Sequence, residues 1–132
     1  MYSSQPSGIL ELEVGDFKDN RIFRVAAVDH GLFSFTDVKL GQWPIILITN
    51  PKPALFSMPN FEPLRRIHKS TYIRVLVFSK SKISSVQFKI DDGNLITMEH
   101  VSGPLYVKQW DSSLYTRGLH WIHVEAKVSK QN

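Results

Sequence analysis

The sequence predicts an all-β fold, and three observations carry that reading. Between Val107 and Val128 the chain reads as two strands meeting at a corner. Tyr115 stands three residues before Gly118, and His120, Ile122, Val124, Ala126 and Val128 then alternate on one face. Elsewhere short segments alternate apolar and polar residues with the period of two that a half-buried strand requires. Turn signals, among them Asp29-His30-Gly31 and Asp91-Asp92-Gly93-Asn94, separate most of these segments at intervals that suit a sandwich.

Each element follows in order. Leu10, Leu12 and Val14 alternate with Glu11 and Glu13, and G-D-F-K-D-N then makes a polar turn. Arg21–Val28 is β-branched and aromatic, and Leu32–Val38 carries Phe33 and Phe35 on one face. These three strands predict a meander, which needs a second layer to cover its apolar side. Gly41-Gln42 is the predicted seam. Residues 1–40 hold four Lys/Arg against six Asp/Glu, whereas residues 41–132 hold twelve against six. Beyond the seam, Trp43–Thr49 is a strand with Pro44 near its start, where a missing N–H is tolerated. The connection over residues 50–70 carries four prolines, with room for two helical turns over Glu62–Lys69. Tyr72–Phe78, Ser85–Ile90, Leu95–His100, Leu105–Trp110 and His120–Val128 complete six strands. The expected architecture is an immunoglobulin-like β-sandwich over residues 41–132, short of its last strand, preceded by the three-stranded meander over residues 1–40. A tyrosine at such a corner returns its hydroxyl to the corner backbone while its ring packs at the end of the sandwich.

Composition narrows the function. With 132 residues, 42% hydrophobic and 21% charged, the chain can bury one ordinary core. There is no cysteine, hence neither a disulfide nor a thiolate metal site. The start, M-Y-S-S-Q-P-S-G, has neither the basic nor the apolar region of a signal peptide. The longest apolar run, Trp43–Ile48, is far short of a membrane span. Taken alone the segment is expected to be soluble. Its cations sit singly along alternating strands, as on a solvated sheet face; an anionic membrane or acidic partner is the other use of that charge. No zinc spacing, ribonucleoprotein motif or recognition helix points to nucleic acid.

Candidate chemistry dissolves on inspection. His120 and His123 are an odd number of residues apart, so on a strand they face opposite sides and do not share a metal. His30, His68 and His100 are scattered, without an acidic partner at ligand spacing. Gly15-Asp16 after an apolar strand resembles the way a metallophosphoesterase presents a bridging carboxylate. The Asp-x-His, Gly-Asn-His and Gly-His-x-His companions that chemistry needs are absent. Asp91 and Asp92 read as solvated turn residues. Trp43, Trp110 and Trp121 read as sandwich filler. Neither a nucleophile motif nor a phosphate loop occurs. The sequence therefore assigns no catalytic, cofactor-binding or metal-binding residue.

Several stretches together resemble one family. They are L-E-L-E-V-G-D-F-K-D-N-R (10–21), V-D-H-G-L-F-S-F (28–35), W-P-I-I-L-I-T-N-P-K (43–52), E-P-L-R-R-I (62–67), S-T-Y-I-R-V-L-V-F-S (70–79), F-K-I-D (88–91) and H-V-S-G-P-L-Y-V (100–107). In collinear order over roughly residues 10–128 they resemble the transmembrane protein 62 family. The resemblance implies a calcineurin-like phosphoesterase domain, then an immunoglobulin-like domain, then membrane helices. Residues 1–40 would be the closing strands of the first domain and 41–132 the second. The implied role is a non-catalytic structural or interaction module of a membrane protein. The two divalent metals of the parent would lie outside this chain. Its partners would be the parent's own phosphoesterase domain and membrane helices, or a protein met by the proline-rich loop.

Overall fold

The structure is a computed structural model and describes residues 2–4, 10–15, 17–52, 62, 70–115 and 117–129. Strands β1 (Tyr2–Ser4) and β2 (Leu10–Leu12) pair antiparallel, with Ser3 opposite Glu11. A single helical turn, α1 (Phe17–Asn20), follows. Strands β3 (Ile22–Asp29) and β4 (Leu32–Lys39) form a hairpin in register from Ile22–Lys39 to Asp29–Leu32. Its loop is His30-Gly31, both at positive φ (51° and 83°), the two-residue turn whose twist matches antiparallel strands.

The expected three-stranded meander is therefore two separate pairs. The polar segment after Val14 is where α1 forms, and it closes through Arg21 N–H donating to the Phe17 carbonyl at 3.1 Å. That turn keeps β2 out of register with β3. The Arg24 guanidinium, instead of a backbone ladder, reaches the Glu13 carbonyl at 2.9 Å.

The sandwich begins with β5 (Ile45–Asn50). It continues through β6 (Tyr72–Phe78), β7 (Ile83–Ile90), β8 (Ile96–Thr97), β9 (Glu99–Ser102), β10 (Leu105–Gln109) and β11 (Ile122–Val128). One sheet runs β5-β6-β10-β9 and the other β11-β7-β8, all antiparallel. Ile73, Val75 and Val77 of β6, Val86 and Phe88 of β7, Met98 and Tyr106 form the buried core between them. The period-two pattern dictates this: alternate residues of a strand face one side, and these segments place β-branched or aromatic residues at every inward position. The predicted strand Leu95–His100 is in fact two. Met98 donates its N–H to the Val86 carbonyl at 2.8 Å, and from Glu99 onward the chain pairs with β10. It changes sheets there, and the buried Met98 side chain forms the corner. The two helical turns predicted over Glu62–Lys69 lie outside the described residues, apart from Glu62.

A second buried layer lies outside the sandwich. Along β5, Ile46 and Ile48 face the core, while Ile45, Leu47 and Thr49 are buried on the opposite face. β4 lies against that outer face, burying Leu32, Ser34 and Val38. The hairpin thus covers the outer side of the β5 edge. Ser34 is 1% exposed, and among the described residues its hydroxyl has no hydrogen-bond partner. A buried, unsatisfied hydroxyl costs about 1–3 kcal/mol. Replacing Ser34→Ala removes it at almost no change in volume. The variant should be more stable by about that amount in urea unfolding, and a loss of stability would show that the hydroxyl is satisfied in solution.

Candidate functional site

The most elaborate polar chemistry in the chain stands where the hairpin meets the sandwich. Asp29 ends β3 at the hairpin turn, and its carboxylate is aimed across at β5 and β6. Oδ2 accepts from Thr49 Oγ1 at 2.9 Å and from Arg74 Nε at 2.8 Å, while Oδ1 lies 2.7 Å from His30 Nδ1. Burial pushes this carboxyl up. The Thr49 hydroxyl, the Arg74 charge and the bonds from Arg74 and His30 outweigh it and hold Asp29 below the usual carboxylate range. Thr49 reaches the Arg74 carbonyl as well, at 3.3 Å.

A second bridge stands nearby. Lys52 and Glu62 form an ion pair at 2.5 Å, with side chains 0% and 3% exposed. The other Glu62 oxygen accepts the Phe33 N–H of β4 at 2.6 Å. One carboxylate therefore neutralises a buried ammonium and satisfies a backbone donor of the hairpin. The hairpin itself is braced by Arg24 and Asp37, which stand opposite each other in register. They bond at 2.6 and 3.0 Å, with the guanidinium 4.2 Å from the Phe35 ring centroid. The Arg24 hydrogen bond lowers the Asp37 carboxyl, and burial opposes it only in part.

Between hairpin turn and β6 lies an open cleft of about 210 Å³, lined by Asp29, His30, Leu32, Asn50, Tyr72 and Arg74 among others. Behind it, Ser70 Oγ takes a hydrogen bond from Asn50 Nδ2 and another from Trp110 Nε1 at 3.3 Å, and donates to the Tyr72 carbonyl at 3.0 Å.

The corner before β11 is built differently from expectation. The Tyr115 ring stacks on Trp110 at 5.8 Å and takes the edge of His120 at 5.2 Å. Among the described residues its hydroxyl makes no hydrogen bond. His120 ties the corner to its own backbone through Nε2 and the Arg117 carbonyl at 2.7 Å, with Nδ1 at 2.7 Å from Asp91 Oδ2. Asp91 is thus no merely solvated turn residue: its other oxygen accepts the Trp121 N–H at 2.9 Å. Two acceptors on one imidazole require both nitrogens to carry protons, so this geometry belongs to the imidazolium. His120 lies outside β11. His123 is on it, 3.9 Å from Glu125, so the two histidines do not converge. His100 bonds the Gly103 carbonyl at 2.8 Å. Among the described residues no group of three or more histidine, aspartate or glutamate side chains is placed to hold a metal. Asp16 and His68 lie outside the described residues. No helix among those residues is long and apolar enough to cross a membrane.

Sequence reasoning missed the Asp29–Thr49–Arg74 cluster. Its signal was Arg74, a lone cation at an outward position of a strong strand, which read as a solvated surface charge. The bond from Arg74 to Asp29 spans 45 residues, a distance that periodicity does not reach.

The two sheets, β5-β6-β10-β9 facing β11-β7-β8, define an immunoglobulin-like domain, dressed on one outer face by a hairpin. The comparisons agree: residues 40–132 match the TMEM62 Ig-like domain family, and the chain belongs to that family. It is 52% identical over 118 residues to transmembrane protein 62 of Mus musculus, covering 89% of this chain and 18% of that protein. It is also 32% identical over 93 residues to an Arabidopsis thaliana protein named as a candidate metallophosphoesterase, covering 64% of this chain and 12% of that protein. The chain therefore spans less than a fifth of either relative. No solved structure gives a significant match.

Two predictions follow from these bonds. Glu62→Ala leaves the Lys52 ammonium buried without its carboxylate and should cost about 3–5 kcal/mol of stability by urea unfolding; a change near zero would remove this bridge from the structural argument. The Asp91–His120 pair has a pH window. The Asp91 hydrogen bond, with the Arg117 carbonyl, raises His120 above 6.5, so its contribution is complete below that pH and lost as pH rises through the higher folded value. The Trp121 N–H, with His120, lowers Asp91 below 3.8, so its contribution is complete above that pH and lost as pH falls through the lower folded value. Amide exchange at Trp121 should be slowest between about pH 4 and 6.5, after correction for intrinsic rates. His120→Gln should abolish the alkaline limb alone.

Proposed function

We propose that the chain is a non-catalytic structural module of a membrane-bound parent. The immunoglobulin-like sandwich serves as a rigid seat for the strands that precede it. The observation that carries this reading is the convergence of hairpin and sandwich on Asp29, Arg74 and Thr49, reinforced by Glu62 between Lys52 and the Phe33 amide. Charges held by several directional bonds, the Lys52–Glu62 pair fully buried among them, favour one geometry, because displacement breaks those bonds together. Such a junction transmits position.

The mouse relative is named as a transmembrane protein, which supports a membrane-bound parent. The name of the Arabidopsis relative supports a second, compatible role. The parent is a metal-dependent phosphoesterase whose catalytic residues lie outside this chain, and the module orients that domain relative to the bilayer.

Limited proteolysis of the chain tests the seat. Hairpin and sandwich should resist as one unit, and the paired replacement Asp29→Ala with Arg74→Ala should expose the β3–β4 segment to cleavage first. Independent loss of residues before 40 from the unaltered chain would sink the reading. Release of phosphate from p-nitrophenyl phosphate by the purified chain with Mn²⁺ would overturn the non-catalytic assignment.

A further inference from the structure

The corner between β10 and β11 inverts the pattern of a solvated turn. Turns on a protein surface usually present small and polar residues. Here Leu119, Trp121 and Leu114, at 84%, 77% and 71%, are the three most exposed large apolar residues among those described. Single apolar side chains scattered over a surface need no explanation, but several gathered on one turn mark an interaction surface.

The exposure is fixed by the residues beside them. Leu114 precedes Tyr115, whose ring stacks on Trp110, and its own N–H donates to the Asp111 carbonyl at 3.3 Å. Leu119 and Trp121 flank His120, whose two ring nitrogens are held by Asp91 and the Arg117 carbonyl. The Trp121 N–H is held by Asp91 in turn. The same bonds decide the charge that the corner shows. Asp91 is occupied by His120 and the Trp121 amide, and Asp111 accepts the Ser113 N–H at 3.0 Å and its hydroxyl at 2.5 Å. Arg117 is exposed and, among the described residues, makes no ion pair. Lys89 lines an open groove beside Trp121, with Asp92 the nearby acid that makes no such bonds.

We propose that this corner is a bilayer-contacting tip: Leu114, Leu119 and Trp121 enter the interfacial layer of a membrane, and Arg117 meets its phosphates. An indole settles at headgroup depth, leucines pass below it, and a guanidinium pairs with the anionic oxygens above. A fluid surface accepts side chains that project singly from a turn. A protein partner would have to supply a fitted, desolvated pocket for each. Three side chains bind only marginally by themselves, as a single acyl chain does. On a parent already held at the membrane the tether raises their effective concentration, and the tip then sets which end of the sandwich faces the bilayer. This role rests on the membrane-bound parent and names the end of the module that meets the membrane.

The chain has no cysteine, so Leu119→Cys and Val101→Cys each accept one environment-sensitive fluorophore. Val101 is exposed on β9, which pairs with the start of β10 at the other end of the sandwich. The full chain carries a hexahistidine tag on a Gly-Ser linker of about 40 residues, roughly 35 Å in reach, so either end can touch the surface. It is held on phosphatidylcholine vesicles that contain nickel-chelating lipid. Because the tag stands in for the parent's anchor, failure here leaves the membrane-bound parent standing; that reading fails if alkaline extraction strips the parent from membranes. The label at 119 should shift to the blue and lose about half its emission or more to spin-labelled lipid tails, and the label at 101 should do neither. The shift should survive about 1 M salt, where the screening length is about 3 Å. Leu114→Ser with Trp121→Ser should abolish it and leave the urea midpoint unchanged. No quenching at 119, equal quenching at both sites, or loss of the shift in salt would each overturn the tip. A blue shift at 119 that grows with chain concentration in the absence of vesicles would overturn the bilayer in favour of a protein surface.

Discussion

Strand β5 buries side chains in both directions, with Ile45 and Leu47 under the hairpin and Ile46 and Ile48 over the sandwich core. An edge strand with one solvated face would need polar residues at every second position. Ile45–Ile48 has none, and the run is stable only with a layer on each side. That constraint draws β4 onto the sheet. It also makes the hairpin part of the folded unit, because removing it would expose Ile45 and Leu47 to water. Each such side chain gains about 1.5–3 kcal/mol by full burial.

Hydrophobic contact between two strands holds them together without choosing their orientation. The choice comes from the polar groups at one end. Asp29 on the hairpin turn meets Thr49 of β5 and Arg74 of β6, and the directions of those two bonds select one placement of the turn. Glu62 does the same for the β4 edge by accepting the Phe33 N–H. Apolar burial thus supplies the attraction, and charge-assisted hydrogen bonds select the geometry.

Much of this architecture was legible in the sequence, for reasons that also set the limit. Tyr72–Phe78 and Ser85–Ile90 were readable because strands buried on one face carry the period of two in full. The hairpin was readable because Asp29-His30-Gly31 provides the positive φ its turn demands. The division of Leu95–His100 was not readable: a strand that changes sheets at Met98 keeps its alternation on both sides of the crossing. Nor was the pairing of β2 with β1, since backbone pairing partners leave no periodic trace. The corner shows the same limit. A tyrosine three residues before a glycine was visible, but the histidine that bonds the corner depends on Asp91 arriving from another strand.

The polar groups at this end form one line. From Asp29 it passes to Arg74 on β6, whose neighbour Tyr72 gives its carbonyl to Asn50 and Ser70. Ser70 takes the Trp110 indole N–H, Trp110 stacks on Tyr115, Tyr115 meets the His120 edge, and His120 bonds Asp91 on the far sheet. The line crosses both sheets at the end where the hairpin turn docks, so the seat rests on cross-braced ground. Among the described residues the flank between β5 and β11 has no such bracing, and its apolar residues Ile46, Ile48, Val124 and Ala126 are only partly buried. The braced end holds the preceding strands in a single geometry. Because these braces start from β5 and β6 and end at Asp91 after β7, the hairpin turn is fixed against both sheets and not only against the one strand it covers.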